Sequence, residues 1–116
     1  MYLIGYLSGA AFEVYSTDSF RRWLDGLSDT RGRANILARI DRLSDGNPGD
    51  SAPVGDGVSE MRIHFGPGYR VYFIRQHANV VVLLAGGDKR SQREDIQRAA
   101  HSLAIFPGIP MPRTRI

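Results

Sequence analysis

The chain has 116 residues, enough for one hydrophobic core and too few for two independent domains. Its composition is that of a water-soluble globular protein, and no apolar run approaches the ~18 residues that a membrane span needs. Cysteine is absent, which excludes disulfides and thiolate catalysis and is compatible with a reducing, cytoplasmic location.

Positive charge is concentrated in one part of the chain. The formal net charge is +3, with a pI near 9.7. Residues 61–93 carry six basic residues against one acidic residue, a net +5, whereas the rest of the chain sums to −2. The pattern favours a polyanionic partner that binds this stretch.

The first half of the chain has the pattern of a strand followed by two helices. Residues 1–11 are an N-terminal extension without the features of a signal peptide, and a strand is predicted at residues 12–15, with a possible earlier start near residues 2–7. Ser16, Thr17 and Asp18 are good helix-capping residues. A second helix over residues 31–44 completes a predicted antiparallel hairpin. The apolar faces of the two helices consist of Phe20, Trp23, Leu24, Leu27, Ile36, Leu37, Ile40 and Leu43.

The second half is predicted to be a sheet followed by one more helix. Residues 46–57 are rich in glycine and proline and predict a loop without a strand. Residues 58–65 and 69–75 alternate as strands, and residues 80–85 are apolar throughout, as in a central strand buried on both faces. Ser91 and Glu94 predict a capping box before a terminal helix. The resulting class is α+β, with one domain over residues 12–104 and a flexible tail over residues 105–116.

A Gly-Pro-Gly reversal at residues 66–68 is predicted to join the first two strands of the sheet. Symmetry about Pro67 would pair His64 with Arg70 and Arg62 with Tyr72, and on the other face Met61 with Phe73 and Ile63 with Val71. The first face would therefore present two arginines, a histidine and a tyrosine together.

Such a face has two interpretations. Two neighbouring arginines repel each other unless an anion lies between them, and phosphate fits the arginine fork well, while Tyr72 can stack an unpaired base. Alternatively, the face is solvated and its arginines are paired with Glu60 or Asp88.

No motif for metal or serine-hydrolase chemistry is present in the sequence. The candidate reaction that remains after these exclusions is metal-free RNA cleavage. In this reaction a 2′-hydroxyl attacks the adjacent phosphate, and cations stabilise the phosphorane. Histidine changes charge near neutral pH, so His64 is a candidate acid or base, or else a histidine at the edge of the core. The candidate catalytic residues are Arg62, His64, Arg70 and Lys89, and the candidate RNA-binding residues are Tyr69, Tyr72, Arg90 and Arg93; no metal or cofactor is expected.

The run S-E-M-R-I-H-F-G-P-G-Y-R-V-Y-F, together with R-I-D-R-L-S-D-G-N-P-G-D before it and L-L-A-G-G-D-K-R-S-Q-R-E-D-I after it, resembles the addiction module killer branch of the RelE/ParE toxin superfamily, near the HigB toxins. The resemblance covers about residues 12–103. It implies a RelE-like fold in which an N-terminal strand and a two-helix hairpin pack as one helical layer on a small, mostly antiparallel sheet, with a C-terminal helix.

The resemblance also implies a function. RelE-like toxins of type II toxin–antitoxin systems cleave messenger RNA on the ribosome without a metal and form complexes with a small antitoxin, often a helix-turn-helix protein. Arg70 matches the family arginine after Gly-Tyr, and Lys89 and Arg90 lie where relatives carry a basic residue. The chain departs from RelE members in carrying Arg62 and His64 where they have lysines and in lacking a clear C-terminal catalytic tyrosine, so the general acid and base are not assigned. The alternatives are a ParE-like inhibitor of DNA gyrase and a degenerate module that only binds an antitoxin.

Overall fold

The computed structural model describes residues 2–4, 11–77 and 79–105, with the side chains of residues 2–4 and 105 excepted. Apart from its first residue, Ile105, the predicted tail lies outside these ranges, as does most of the N-terminal extension. In chain order the elements are β1 (Tyr2–Ile4), β2 (Glu13–Ser16), α1 (Asp18–Asp25), α2 (Thr30–Ser44), β3 (Ser51–Gly55), β4 (Val58–Ile63), β5 (Tyr69–Gln76), β6 (Val80–Asp88) and α3 (Gln92–Ile105).

The strands form one mixed sheet in the order β1-β2-β6-β5-β4-β3. Only the β2–β6 pair is parallel, so the prediction of a mostly antiparallel sheet is confirmed. The prediction of a central strand near residues 80–85 is also confirmed, because β6 lies between β2 and β5 and is buried on both faces.

Helices cover both faces of the sheet, which corrects the expectation of a single helical layer. One core contains Phe20 of α1 and Ile36 and Ile40 of α2, whereas the other contains Ala99 of α3 packed against alternate residues of β6. The physical reason is that β6 is apolar on both faces, and each face must be removed from water. None of the helices in the described ranges is long and apolar enough to cross a membrane.

Polar caps fix the first two helices where the sequence predicts them. The Thr17 hydroxyl accepts a hydrogen bond from Phe20 N at 3.1 Å and donates one to Leu84 O at 2.9 Å, so it both caps α1 and ties it to β6. Asp29 caps α2 by accepting from Gly32 N at 3.0 Å. The two helices therefore enter the core at defined positions on the sheet.

The predicted loop at residues 46–57 contains a strand, β3, which corrects that expectation. Pro53 pairs with Ser59 at the outer edge of the sheet. An edge strand pairs on one side only, so the missing N–H of proline is tolerated there. The tight turn to β4 contains Asp56 and Gly57, both with positive φ.

The start of α3 also differs from the prediction. The Asp88 carboxylate accepts a hydrogen bond from Arg90 N, and the Ser91 hydroxyl accepts one from Asp88 N. The capping box therefore consists of Asp88 and Ser91 and lies one turn before the predicted pair of Ser91 and Glu94. The reason is that residues 89–91 form a short 3₁₀ turn before α3.

Candidate nucleic-acid interface

The β4–β5 hairpin presents its polar side chains on the face shared with α3. Arg62 is paired with Arg70 and Glu60 with Tyr72, whereas Met61–Val71 and Ile63–Tyr69 point toward α1 and α2. The predicted pairs of His64 with Arg70, Arg62 with Tyr72, Met61 with Phe73 and Ile63 with Val71 are therefore wrong by two residues, although the predicted faces are right. The reversal is centred near Gly66 instead of Pro67, because Phe65 N bonds to Ile63 O and Gly68 N bonds to Phe65 O.

A buried carboxylate, Glu60, lies at the centre of this face. Its side chain is fully buried and accepts four hydrogen bonds: from Gln92 Nε2 at 2.7 Å, Arg70 Nη1 at 2.9 Å, Arg62 Nε at 3.0 Å and the Tyr72 hydroxyl at 3.0 Å. Burial would raise the pKa of Glu60, but the hydrogen bonds from Gln92, Arg62 and Tyr72 and the charge of Arg70 outweigh it and lower that pKa. Glu60 is thus the anion between the two arginines.

The ion pairs match the interpretation of a solvated face in part. Arg62 and Arg70 both bind Glu60, and Arg90 binds Asp88 at 3.3 Å. Arg70 keeps 13% of its side chain exposed and Arg62 keeps 33%, so neither guanidinium is removed from solvent completely. The cationic character of the face is reduced by these carboxylates without being lost.

A second carboxylate, Asp50, was not singled out by the sequence. It lies immediately before β3, and its two oxygens bind Arg62 Nη1 at 3.2 Å and His64 Nε2 at 2.5 Å. The hydrogen bond with His64 and the charge of Arg62 lower the pKa of Asp50, although desolvation opposes them. No local motif connects Asp50 to His64, because their proximity depends on the pairing of β3 with β4.

Arg39 of α2 fixes the loop that carries Asp50. Its guanidinium donates to Pro48 O at 2.9 Å and to Arg62 O at 2.5 Å, and the Gly49 backbone lies against it, since a Cβ on Gly49 would come within 2.6 Å of Arg39 Nη2. Desolvation by burial lowers the pKa of Arg39. The backbone on both sides of the Asp50–Arg62 pair is therefore anchored to a helix.

An open groove runs beside the hairpin turn. It has a volume of about 390 Å³ and brings together three of the four candidate catalytic residues. Arg62 does not line the groove, but it shares Asp50 with His64 and Glu60 with Arg70, two residues that do. The groove is lined by His64, Phe65, Gly66, Pro67, Gly68, Arg70 and Lys89.

The candidate RNA-binding tyrosines are both buried. Tyr72 is 0% exposed and Tyr69 is 6% exposed, so neither ring is available to stack a base in this conformation, which corrects the expectation from the sequence. Burial raises the pKa of Tyr72, and the neighbouring carboxylate of Glu60 raises it further. Alternation along the strand did not reveal this burial, because α3 covers the face that Tyr72 shares with Arg70.

Tyr69 points to the opposite face of the sheet and stabilises the start of α2. Its hydroxyl donates to Asp29 Oδ2 at 2.7 Å, which raises the pKa of Tyr69 to about 12, and its ring lies edge-on to Trp23. Gly32 permits this approach, since a Cβ there would lie 2.5 Å from the Tyr69 ring. Tyr69 therefore connects the helical layer to the hairpin.

The basic residues after β6 are on the surface. Lys89 contributes to the groove, whereas Arg90 and Arg93 are exposed but do not line it. Among the residues that the structure describes, no group of three or more histidine, aspartate or glutamate side chains is arranged to hold a metal ion. The arrangement can bind an anion in the groove and offers one histidine beside it.

The comparison with protein-family models assigns the chain to one family. Residues 22–104 match the family model described as "Phage derived protein Gp49-like (DUF891)". The chain is also 47% identical to an uncharacterized protein of Haemophilus influenzae over 87 residues, which is 75% of this chain and 88% of that protein. No solved structure matches the chain. The chain belongs to the Gp49-like family of phage-derived proteins, a toxin-like family related to the addiction module killers.

Proposed function

We propose that the protein is the toxin of a type II toxin–antitoxin system and acts as a metal-independent endoribonuclease on ribosome-associated messenger RNA. The observation that carries the proposal is the groove in which His64, Arg70 and Lys89 converge. Membership of the Gp49-like family is consistent with a toxin of this kind.

The groove offers the groups that cleavage at a phosphodiester requires. A 2′-hydroxyl attacks the adjacent phosphorus, its proton passes to His64, and the bond to the 5′-oxygen breaks as that oxygen takes a proton from solvent. Arg70 and Lys89 stabilise the additional negative charge of the phosphorane. The products are a 2′,3′-cyclic phosphate and a free 5′-hydroxyl.

We further propose kinship with the HigB-like branch of the RelE/ParE superfamily, a cytoplasmic site of action, and a hetero-oligomer with a small antitoxin that neutralises the toxin. The resemblance of the hairpin and the following Gly-Gly-Asp-Lys-Arg segment supports this kinship. Arg62, Arg90 and Arg93 then serve as additional contacts to the RNA backbone, because they lie on exposed or half-exposed surface of the same cationic stretch.

The proposal is tested with purified protein, translating ribosomes and mapping of message ends. We expect new ends inside the reading frame for the wild type. The rate should be lower by about 10²-fold or more in both His64→Gln and Lys89→Met, since general acid–base catalysis and one stabilising contact to the phosphorane contribute at this scale. Both side chains are exposed, so the substitutions should leave the fold intact.

Arg22→Gln is the matched control, because it removes one positive charge from an exposed position on α1, away from the groove. Its rate should equal that of the wild type. A gyrase supercoiling assay is run beside it, since the ParE-like alternative predicts blocked supercoiling. Intact message, or cleavage unaffected by both groove substitutions, would contradict the proposal.

A further inference from the structure

The Asp50 carboxylate bridges two nitrogen donors, an arginine and a histidine, at the edge of the groove. Oδ1 lies 3.2 Å from Arg62 Nη1, and Oδ2 lies 2.5 Å from His64 Nε2. The low pKa of Asp50 keeps it ionised at neutral pH, so His64 Nε2 carries the proton that it donates to Asp50. One anion therefore spans an arginine and a histidine through two oxygens.

A phosphodiester makes the same pattern of contacts. It carries one negative charge over two non-bridging oxygens, and arginine and histidine N–H groups are among the donors that bind such oxygens best. A phosphate placed between Arg62 and His64 would replace both bonds of Asp50 without leaving either donor unpaired. His64 also lines the groove with Arg70 and Lys89, so this position continues the path of the groove toward Arg62.

The Asp50 side chain can rotate away from Arg62 and His64 without a change in the backbone at this position. The backbone is fixed independently, because Asp50 O accepts from Arg62 N at 2.9 Å and Arg39 binds Pro48 O. The side chain is 44% exposed and its partner His64 is 73% exposed, so ion pairs at this position are screened by water and weak. Rotation into solvent costs the carboxylate little, because water replaces its partners.

We propose that the position between Arg62 and His64 is a phosphate-binding site that Asp50 occupies in the free protein. Asp50 acts as an internal competing anion, which lowers the affinity of the groove for polynucleotide until a backbone phosphate displaces it. This inference rests on the proposed nucleic-acid function and names a regulatory contact within the same site.

The test is binding of a single-stranded 2′-deoxy oligonucleotide, which cannot be cleaved, measured by fluorescence anisotropy. Asp50→Asn keeps the shape of the side chain and removes its charge. We expect it to bind about three- to tenfold tighter than the wild type, since the competing charge and its two weak contacts are removed.

Asp56→Asn is the matched control, because it removes the same charge from an exposed turn whose positive φ of 57° suits asparagine. Its affinity should stay at the wild-type value. Asp50→Ala is a second variant that should change in the same direction as Asp50→Asn. A parallel titration with inorganic phosphate follows the side-chain NMR signals of Arg62 and His64 and is independent of polynucleotide binding.

Each outcome separates this inference from the function on which it rests. Tighter binding by both Asp50 variants alone supports the inference. Equal changes in Asp50→Asn and Asp56→Asn, or weaker binding by the Asp50 variants, overturn it and leave the nuclease proposal standing if the wild type binds. If no variant binds the oligonucleotide but Asp50→Asn gains affinity for phosphate, the anion site is supported and the RNA function fails.

Discussion

Two carboxylates share Arg62 but occupy opposite environments. Glu60 is fully buried under α3 and accepts hydrogen bonds from four side chains on three elements. Asp50 is 44% exposed, and within the described ranges its carboxylate binds two side chains, those of Arg62 and His64. Arg62 therefore binds the carboxylate of Glu60, which is fixed in the protein interior, and that of Asp50, which can rotate into solvent.

The difference shows how burial assigns a role to an ion pair. Removing Glu60 would leave the buried Tyr72 hydroxyl and the nearly buried Arg70 without this acceptor and would cost Gln92 and Arg62 one hydrogen bond each. Such a loss is costly in a low-dielectric environment. Removing Asp50 would return its partners to water. We therefore interpret Glu60 as a structural centre of the cationic face and Asp50 as the part that a ligand can displace.

Removing Glu60 is expected to have the largest effect and tests whether the two carboxylates differ in their contribution to stability. We expect Glu60→Ala to lower the free energy of unfolding by about 3–5 kcal/mol, the usual cost of leaving buried charged and polar partners uncompensated. Glu60→Gln, which keeps the shape, should cost less. Urea denaturation followed by circular dichroism gives both values. Asp50→Ala is the control and should leave the urea midpoint close to that of the wild type; a similar loss in both variants would remove the distinction.

The contact of α3 with the sheet provides a test of intermediate size. A Cβ on Gly87 would lie 1.7 Å from Asp95 Oδ2 and 2.8 Å from Ser91 Oγ, so Gly87→Ala forces the start of α3 away from β6 and with it Gln92, a partner of Glu60. We expect a loss of about 1–3 kcal/mol in the free energy of unfolding, as in other overpacked sites. Combining it with Asp95→Ala should give a non-additive loss, since the clash is relieved. Strict additivity would contradict the packing explanation.

The smallest expected difference concerns how the stability of the fold decreases at acidic pH. The pKa values of Glu60 and Asp50 are both lowered in the folded state, so each carboxylate stabilises the fold above its unfolded value, about 4.3 for Glu and 3.9 for Asp. That stability is lost as the pH falls through the folded pKa. Urea midpoints measured between about pH 6 and pH 2 should fall less steeply in Glu60→Gln than in the wild type. Asp50→Asn should flatten the curve less, and an equal or larger effect would contradict the assignment.

The helices and the central strand were predictable because their signals are local. Thr17 and Asp29 are favoured capping residues immediately before amphipathic runs, and β6 is an unbroken apolar segment. β3 was missed because glycine and proline argue against a strand unless it is known to be at an edge, and edge position is a property of the whole sheet.

The alternation of apolar and polar residues determines which face of the hairpin is buried but does not determine its register. A slip of one residue would exchange the two faces, but a slip of two restores them, so alternation alone cannot choose between centring the turn on Pro67 and centring it on Gly66. The candidate residues His64, Arg70 and Lys89 meet in either register. Glu60 was noted only as a possible partner of the arginines, because its burial depends on Gln92 of α3, far along the chain.

The parallel pairing of β2 with β6 has a consequence for how the chain folds. β3, β4, β5 and β6 follow one another along the chain as antiparallel neighbours, so this four-stranded part of the sheet forms by successive hairpin closures with little loop entropy to overcome. β2 meets its partner only when Glu13 reaches Val80, across most of the described sequence. While the ribosome is still synthesising the chain, β2 cannot pair with β6 until β6 has emerged, and the cationic β3–β6 part of the sheet is the part that can assemble from contiguous chain.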